Sequence, residues 1–316
     1  MLTVLDLFSG LGGFSLGLER TGGFRTVAFC EIDPYCRRVL AKHWPEVPCH
    51  EDVRTLDAAR LERDGIGRPD VICGGFPCQD VSLAGAGAGL EGERSGLWSE
   101  YARLVRELRP RYVIVENVAA LLGRGIDRVL GELAALGYDA EWHCIPASAI
   151  GATHHRDRIW IIAYPGGTGM EGPLISRDLV QAGQGRWGGE TDCPDWPAIG
   201  SSRPADDRWI ESALRRTDDG LSGVVDRLRA IGNSVVPQIP QLIGEAILAA
   251  EAHNGDAVQI RAWRQRHGWT QEQAAEVLGV TKDAFRYWEY GRRSVPGPVK
   301  VLIRYIDRHG LLDKYG

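Results

Sequence analysis

Short apolar runs and glycine turns alternate along the first half of the chain. Thr3-Val4-Leu5-Asp6-Leu7-Phe8 reads as a buried strand entering Ser9-Gly10-Leu11-Gly12-Gly13, after which Phe14, Leu16, Gly17 and Leu18 continue with helical character. Arg25 to Cys30 is a second strand with Glu31 at its end, and Pro34 to His43 has the makings of a helix with proline in its first turn. Glu51-Asp52-Val53 closes a short third strand, and residues 56–64 read as helix. Val71-Ile72-Cys73 is a fourth strand running into the turn Gly74-Gly75-Phe76-Pro77-Cys78-Gln79. An amphipathic helix, Leu97 to Leu108, is stopped by Pro110, and the strand Tyr112 to Val115 carries Glu116-Asn117-Val118 beyond its tip. A helix over 125–137 and strands at Glu141–Ile145 and Ile159–Tyr164 complete the series. Such alternation predicts a doubly wound, mostly parallel α/β sheet over residues 1–164.

The pattern breaks at Pro165. Glycine and proline crowd the next forty residues, and the acidic stretch 165–223 has the length of a small inserted region. Periodicity returns near Asp226, and a helix is expected through about Ala252, so residues 224–253 are assigned with 1–164 to one domain. Ala252 to Asp256 reads as a polar linker. Residues 257–316 read as four or five short helices: Thr270 caps one, Gly279 turns the chain, and Thr281 caps the next. Ala275, Leu278, Val280, Phe285 and Trp288 have the spacing of a helix-turn-helix core, which leaves Lys282, Asp283, Arg286 and Tyr287 facing outward.

Charge sharpens this division. The chain of 316 residues is net −5, yet residues 256–316 hold 11 Lys and Arg against 7 Asp and Glu. A basic tail on an acidic body, with Arg292-Arg293 beside the second helix, points to a DNA-facing module. Nothing near Met1 resembles a signal peptide and no apolar run approaches a membrane span. Seven cysteines, an odd number, fit reduced thiols in a cytoplasm, and their spacing predicts no structural metal.

Strand, glycine turn and helix form a nucleotide-cofactor entrance, and Glu31 stands where an acidic residue can accept from ribose hydroxyls. This geometry alone does not separate a dinucleotide from S-adenosyl-L-methionine. Ser15 stands where a dinucleotide fingerprint has its third glycine. Cys78, on a turn at a strand's C-terminal edge, is a nucleophile candidate, and Glu116 on the neighbouring edge is a general-acid candidate. Gly85, Gly87, Gly89 and Gly92 follow the cysteine in a segment suited to closing over a substrate.

Five segments in order resemble the DNA cytosine-5 methyltransferase family: Asp6–Phe14, Gly75–Gln79, Glu116-Asn117-Val118, Arg156-Asp157-Arg158 and Gly232-Asn233-Ser234-Val235. Residues 257–316 separately resemble a phage-repressor-type helix-turn-helix domain. The first resemblance implies a Rossmann-like methyltransferase domain (1–164 and 224–253), a target-recognition region (165–223), and methyl transfer from S-adenosyl-L-methionine to carbon 5 of a flipped-out cytosine in duplex DNA. Cys78 would attack carbon 6, Glu116 would assist at ring nitrogen 3, and Arg158, with Arg156 beside it, would hold the exocyclic oxygen. Phe8, Gly10, Gly12, Gly13, Glu31, Ile32, Asp52, Val53, Pro77, Asn233 and Ser234 would hold the cofactor, Glu31 at the ribose and Asp52 at the adenine amino group. Gln79, Ser82 and Arg94 would meet DNA or position the closing loop, Arg215 and Arg216 would serve the target-recognition region, and Lys282, Arg286 and Arg292 the helix-turn-helix. One departure stands out: His154 occupies a position where the family usually has glutamine. A monomer on double-stranded DNA is expected, and two settings stay open: restriction-modification, with a cognate restriction endonuclease that the sequence does not physically imply, and an orphan or phage-type DNA modification. A transcriptional autoregulator and an RNA cytosine methyltransferase are the competing readings.

Overall fold

The computed structural model describes residues 1–77, 97–147, 157–166, 174 and 234–309. Among them, the residues up to 166 together with 234–244 form one compact unit, and those from 245 onward form a second.

The first unit is built on a seven-stranded sheet. Its strands are β1 (Leu2–Leu7), β2 (Phe24–Cys30), β3 (Cys49–His50), β4 (Val71–Gly75), β5 (Tyr112–Val118), β6 (Tyr138–Pro146) and β7 (Asp157–Pro165), in the order β3-β2-β1-β4-β5-β7-β6. The pairings from β3 to β5 are parallel, whereas β7 runs antiparallel to both β5 and β6. Helices α1 (Gly13–Arg20), α2 (Pro34–His43), α3 (Ala58–Arg63), α4 (Leu97–Leu108) and α5 (Ile126–Ala135) fill the crossovers.

Burial explains why the strands read as apolar runs rather than alternating ones: both faces of the sheet are covered. Leu5, Leu7, Ile72, Val113, Val115, Ile159 and Ile161 share one core with Leu61, Trp98, Leu104, Val105, Val129 and Leu133 from α3, α4 and α5. Tyr101 of α4 anchors that layer, its hydroxyl lying 3.1 Å from the carbonyls of both Ile72 and Ile114. On the opposite face α1 packs against the start of α6 (Gln238–Arg266). The backbone carbonyls of Val235 and Pro237 stand where side chains on Gly13 and Gly17 would have to go. Glycine at 13 and 17 therefore permits an approach that alanine would block.

Several boundaries differ from the sequence expectation. β3 ends at His50, and Asp52 instead caps a 3₁₀ turn, Val53–Thr55. β5 continues to Val118, so Glu116 lies within the strand rather than beyond its tip, because the antiparallel ladder with β7 extends it. Residues 252–256, expected as a linker, are part of α6: their polar side chains leave the helix ladder unbroken, and Asp256 accepts from the Val295 backbone N–H at 3.0 Å.

The second unit is all-helical. The end of α6 supplies Ile260 and Trp263 to a core shared with α7 (Gln271–Val277), α8 (Lys282–Glu289) and α9 (Gly297–His309). Ala275, Leu278, Phe285 and Trp288 are buried there as their spacing predicted, and Val280 packs against them. Thr270 and Thr281 cap α7 and α8, the former in a reciprocal capping box with Gln273. Sequence patterning did not mark Glu289. It is buried, accepts from Arg264 Nε at 2.5 Å and is bonded by Gln271.

Candidate active site

The C-terminal ends of β1, β2, β4 and β5 converge on one edge of the sheet, where open α/β folds place their ligands. The turn after β1 is held in an unusual shape. Phe8 has φ +52 and Gly10 φ +54, both in the left-handed region, and Gly12, at φ +81, precedes the first residue of α1. A side chain at Gly10 would meet nothing within 4 Å, whereas one at Gly12 would collide with the Trp44 ring. The turn is thus packed from beneath at Gly12 and open at Gly10, a cradle that a ligand backbone can approach.

Glu31 fixes that cradle. Its carboxylate accepts from Gly10 N at 2.7 Å and from Asp33 N at 2.8 Å, so the end of β2 and the turn after β1 are tied through one side chain. Each oxygen keeps lone pairs for hydroxyl donors. Beside it Ile32 is 65% exposed, an apolar surface at the strand end suited to the face of a purine. Asp52 is engaged differently from the expectation: its carboxylate grips the Arg54 guanidinium at 2.8–3.1 Å, and this partner holds the carboxyl below its usual range. An adenine amino group there would share Asp52 with Arg54. Val53, the first residue of the 3₁₀ turn, is buried in the core of the first unit. Ser234 is half-buried at the start of the segment leading to α6.

On the β4–β5 side the register pairs Gly75 with Glu116, and β7 sets Arg158 opposite Val118. Arg158 Nε lies 2.8 Å from Glu116 Oε1, with both side chains largely shielded from solvent. The second carboxylate oxygen rests over Gly75, where a Cβ would stand 2.6 Å from it. Asn117 points the other way: its amide donates to the Phe76 carbonyl at 3.1 Å, and its Oδ1 accepts from Val118 N. Phe76 is buried against Trp98, with ring centroids 5.6 Å apart. The peptide leading through Pro77 is therefore clamped from β5 and from α4.

The sequence-predicted residues that the structure brings together are Phe8, Gly10, Gly12, Gly13, Glu31 and Ile32 around one turn, and Glu116 with Arg158 on the other side of β4. Cys78, Gln79, Ser82, Arg94, Arg156, Arg215, Arg216 and Asn233 lie outside the described residues, as does nearly all of the 165–223 region. Lys282, Arg286 and Arg292 are exposed on the second unit, with Arg286 3.5 Å from Asp283 and Arg292 over the Tyr287 ring. Sequence reading missed Asn117 and Gly75 as supports of the site, although both stand inside the quoted motifs. It missed Trp44 altogether, since a tryptophan after a helix carries no local signal of packing under a distant glycine. Among the described residues no cluster of side chains could hold a metal ion, and no helix is long and apolar enough to cross a membrane.

The same fold is found in the structure of Entamoeba histolytica methyltransferase EhMeth, which superposes with a TM-score of 0.53 at 16% identity, covering 78% of this chain and 97% of that one. The pattern of the C-5 cytosine-specific DNA methylase family matches residues 2–188, more than half of the chain, and a helix-turn-helix pattern matches residues 257–314. The chain belongs to the C-5 cytosine-specific DNA methylase family and carries a helix-turn-helix domain at its C-terminal side. It is 33% identical over 170 residues to type II methyltransferase M2.BsuMI of Bacillus subtilis (strain 168), and 36% identical over 167 residues to type II methyltransferase M.Eco47II of Escherichia coli. Each alignment covers 51% of this chain, and 42% and 39% of those relatives respectively. The chain thus spans about two fifths of the length of the relatives it matches.

Proposed function

We propose that the protein is a DNA (cytosine-5)-methyltransferase using S-adenosyl-L-methionine and acting in the cytoplasm on double-stranded DNA. The observation that carries the reading is the Glu116–Arg158 pair, an acid and a guanidinium held 2.8 Å apart beside the strand that leads to Cys78. A cytosine edge presents an acceptor nitrogen next to a carbonyl oxygen, and this pair offers groups for both. The open turn at Gly10, the Glu31 carboxylate and the exposed face of Ile32 fit a cofactor with a ribose and a purine, with Asp52, Pro77, Asn233 and Ser234 completing its surroundings. When bound, that cofactor supplies an electrophilic methyl group on a sulfonium.

The chain's own residues then have distinct tasks. The Cys78 thiolate adds to carbon 6 of the flipped base as Glu116 donates a proton or hydrogen bond to ring nitrogen 3, where electron density builds up. Arg158 stabilises negative charge on the exocyclic oxygen and holds Glu116 in place. The addition makes carbon 5 a nucleophile towards the methyl group that the bound cofactor would supply as its sulfonium becomes a thioether; a base would then take the carbon 5 proton, and departure of the thiolate would restore the aromatic ring. The matched relatives are type II methyltransferases, which supports a restriction-modification setting for this chain as well.

The test is methyl transfer from labelled cofactor to duplex DNA, with bisulfite mapping of the product. Methylated cytosine at a defined site is expected, and Cys78→Ser should abolish turnover while leaving fold and cofactor binding intact. Methyl transfer to adenine, or better activity on tRNA than on DNA, would overturn the reading. A second role has its own support in the basic, outward face of α8: DNA binding by the helical unit at a sequence separate from the methylated one. Footprinting with Cys78→Ser and Arg286→Ala checks it, and protection unchanged in Arg286→Ala would refute it.

A further inference from the structure

One carboxylic acid in the catalytic unit has no part in methyl transfer as described. Asp6 is wholly buried in β1, on the face of the sheet that α1 covers. Its Oδ2 accepts from the Ser15 hydroxyl at 2.7 Å and the Ser15 backbone N–H at 3.3 Å. Its register partner across β1–β4 is Cys73, whose buried thiol is raised by burial and then by the adjacent Asp6 carboxyl. Oδ1 has no hydrogen-bond partner among the described residues. These neighbours sit at informative places: β1 leads into the Gly10–Gly12 cradle, Ser15 lies in the first turn of α1, and Cys73 is five residues before Cys78.

We propose that Asp6 is a positioning residue: its carboxyl joins the cofactor turn to the strand that carries Cys78, and it does so only in its protonated form. A buried carboxylate with an oxygen lacking a partner is costly, whereas the neutral acid accepts from Ser15 through Oδ2 and can turn an O–H towards the Cys73 sulfur. Ionisation would place a charge between two parallel strands and pull Asp6 towards water. Ser15 would move with it on one side and β4 on the other. Burial pushes the Asp6 carboxyl up to about 8, the two Ser15 hydrogen bonds oppose the rise, and the Glu31 and Glu19 carboxylates add to it. The remaining titratable neighbours are thiols and a phenol. Cys73 and Tyr101 are held well above their ordinary values and Cys49 is raised to about 11, so none of these three changes charge between pH 7 and pH 9.

This inference rests on the reading of the Gly10–Gly12 turn as a cofactor site, and binding separates the two. The full chain is titrated with S-adenosyl-L-homocysteine by calorimetry from pH 6.5 to 9.5, with urea unfolding followed in parallel. For the wild type, Kd is expected to be level to about pH 7.5 and to weaken roughly tenfold per pH unit once past pH 8. Asp6→Asn, which keeps the neutral shape, should remove that limb. The ligand's own amino group titrates alike with both proteins, so the ratio of the two Kd values is the readout. Ser15→Ala, which deletes a hydrogen bond that favours the ionised form, should displace the limb to higher pH. Parallel profiles for wild type and Asp6→Asn would overturn the proposal. If Asp6→Asn does not fold, a limb unmoved by Ser15→Ala overturns it equally. Absence of binding by the wild type at pH 7 would sink the cofactor reading itself, and the proposal with it.

Discussion

Gly75→Ala tests the placement of Glu116 without replacing any reacting group. The added methyl carbon would stand 2.6 Å from Glu116 Oε2, about 0.8 Å short of the 3.4 Å at which ordinary contact begins. The nearest backbone atom, the Glu116 carbonyl oxygen, lies at 3.5 Å and needs no movement. The strain therefore falls on the carboxylate tip, the part paired with Arg158. Alanine is also better than glycine inside a strand by roughly 0.5–1 kcal/mol, so global stability should change by less than about 1 kcal/mol. Catalytic geometry is less forgiving: a displacement near 1 Å can cost on the order of a hundredfold. Single-turnover methyl transfer with saturating DNA and cofactor should slow about 10²-fold, with urea unfolding and S-adenosyl-L-homocysteine binding close to wild type. A single-turnover rate within threefold of wild type would show that Glu116 is not held in a reacting position by this contact. A stability loss of several kcal/mol would show that the methyl group had struck backbone.

Two further outcomes follow from buried charge. Asp6 has an ordinary carboxyl range near 3.8 when unfolded and about 8 when folded, so the folded chain keeps a proton that the unfolded chain has released between those values. Stability from this residue is full below about pH 4 and is lost as pH rises towards 8; Asp6→Asn should remove a slope of up to about 1.4 kcal/mol per pH unit in urea unfolding, and identical slopes in the two proteins would refute it. Glu289→Ala leaves Arg264 and Gln271 without their buried acceptor and should cost the helical unit about 3 kcal/mol. Hydrogen exchange across residues 257–309 should then rise strongly, while Glu289→Gln rises less; equal protection in all three proteins would contradict the role of that carboxylate.

The sheet was largely legible because parallel strands buried on both faces leave uninterrupted apolar runs. Val4-Leu5, Val71-Ile72-Cys73 and Val113-Ile114-Val115 each announce themselves in this way. Helix bounds such as Leu97–Leu108 and Pro34–His43 were equally plain, for Pro34 opens one and Pro110 stands two residues past the end of the other. What sequence could not show was the effect of partners far along the chain. Pairing with β7 prolongs β5 through Glu116, and a continuous helix crosses residues 252–256 whose polar composition alone resembles a linker. The site divides in the same manner. Gly10, Gly12 and Glu31 stood out because their spacing is local, whereas Gly75 makes room for a residue forty-one positions on, and Trp44 fills a space beneath Gly12 that only folding creates. Asp52 was visible as an acid at a strand end, but its capture by Arg54 two residues later depends on the 3₁₀ turn.

The bare surfaces of Gly13 and Gly17 have a consequence for the order in which the protein is made. The carbonyls that lie against them belong to Val235 and Pro237, more than two hundred residues downstream. A chain emerging from the ribosome thus has its first helix long before the segment that covers it, and this face of α1 stays bare until synthesis has passed Pro237. The closing of this face is a late event in translation, and a message cut short before Ser234 would yield a sheet whose first helix lacks the backbone that packs on it.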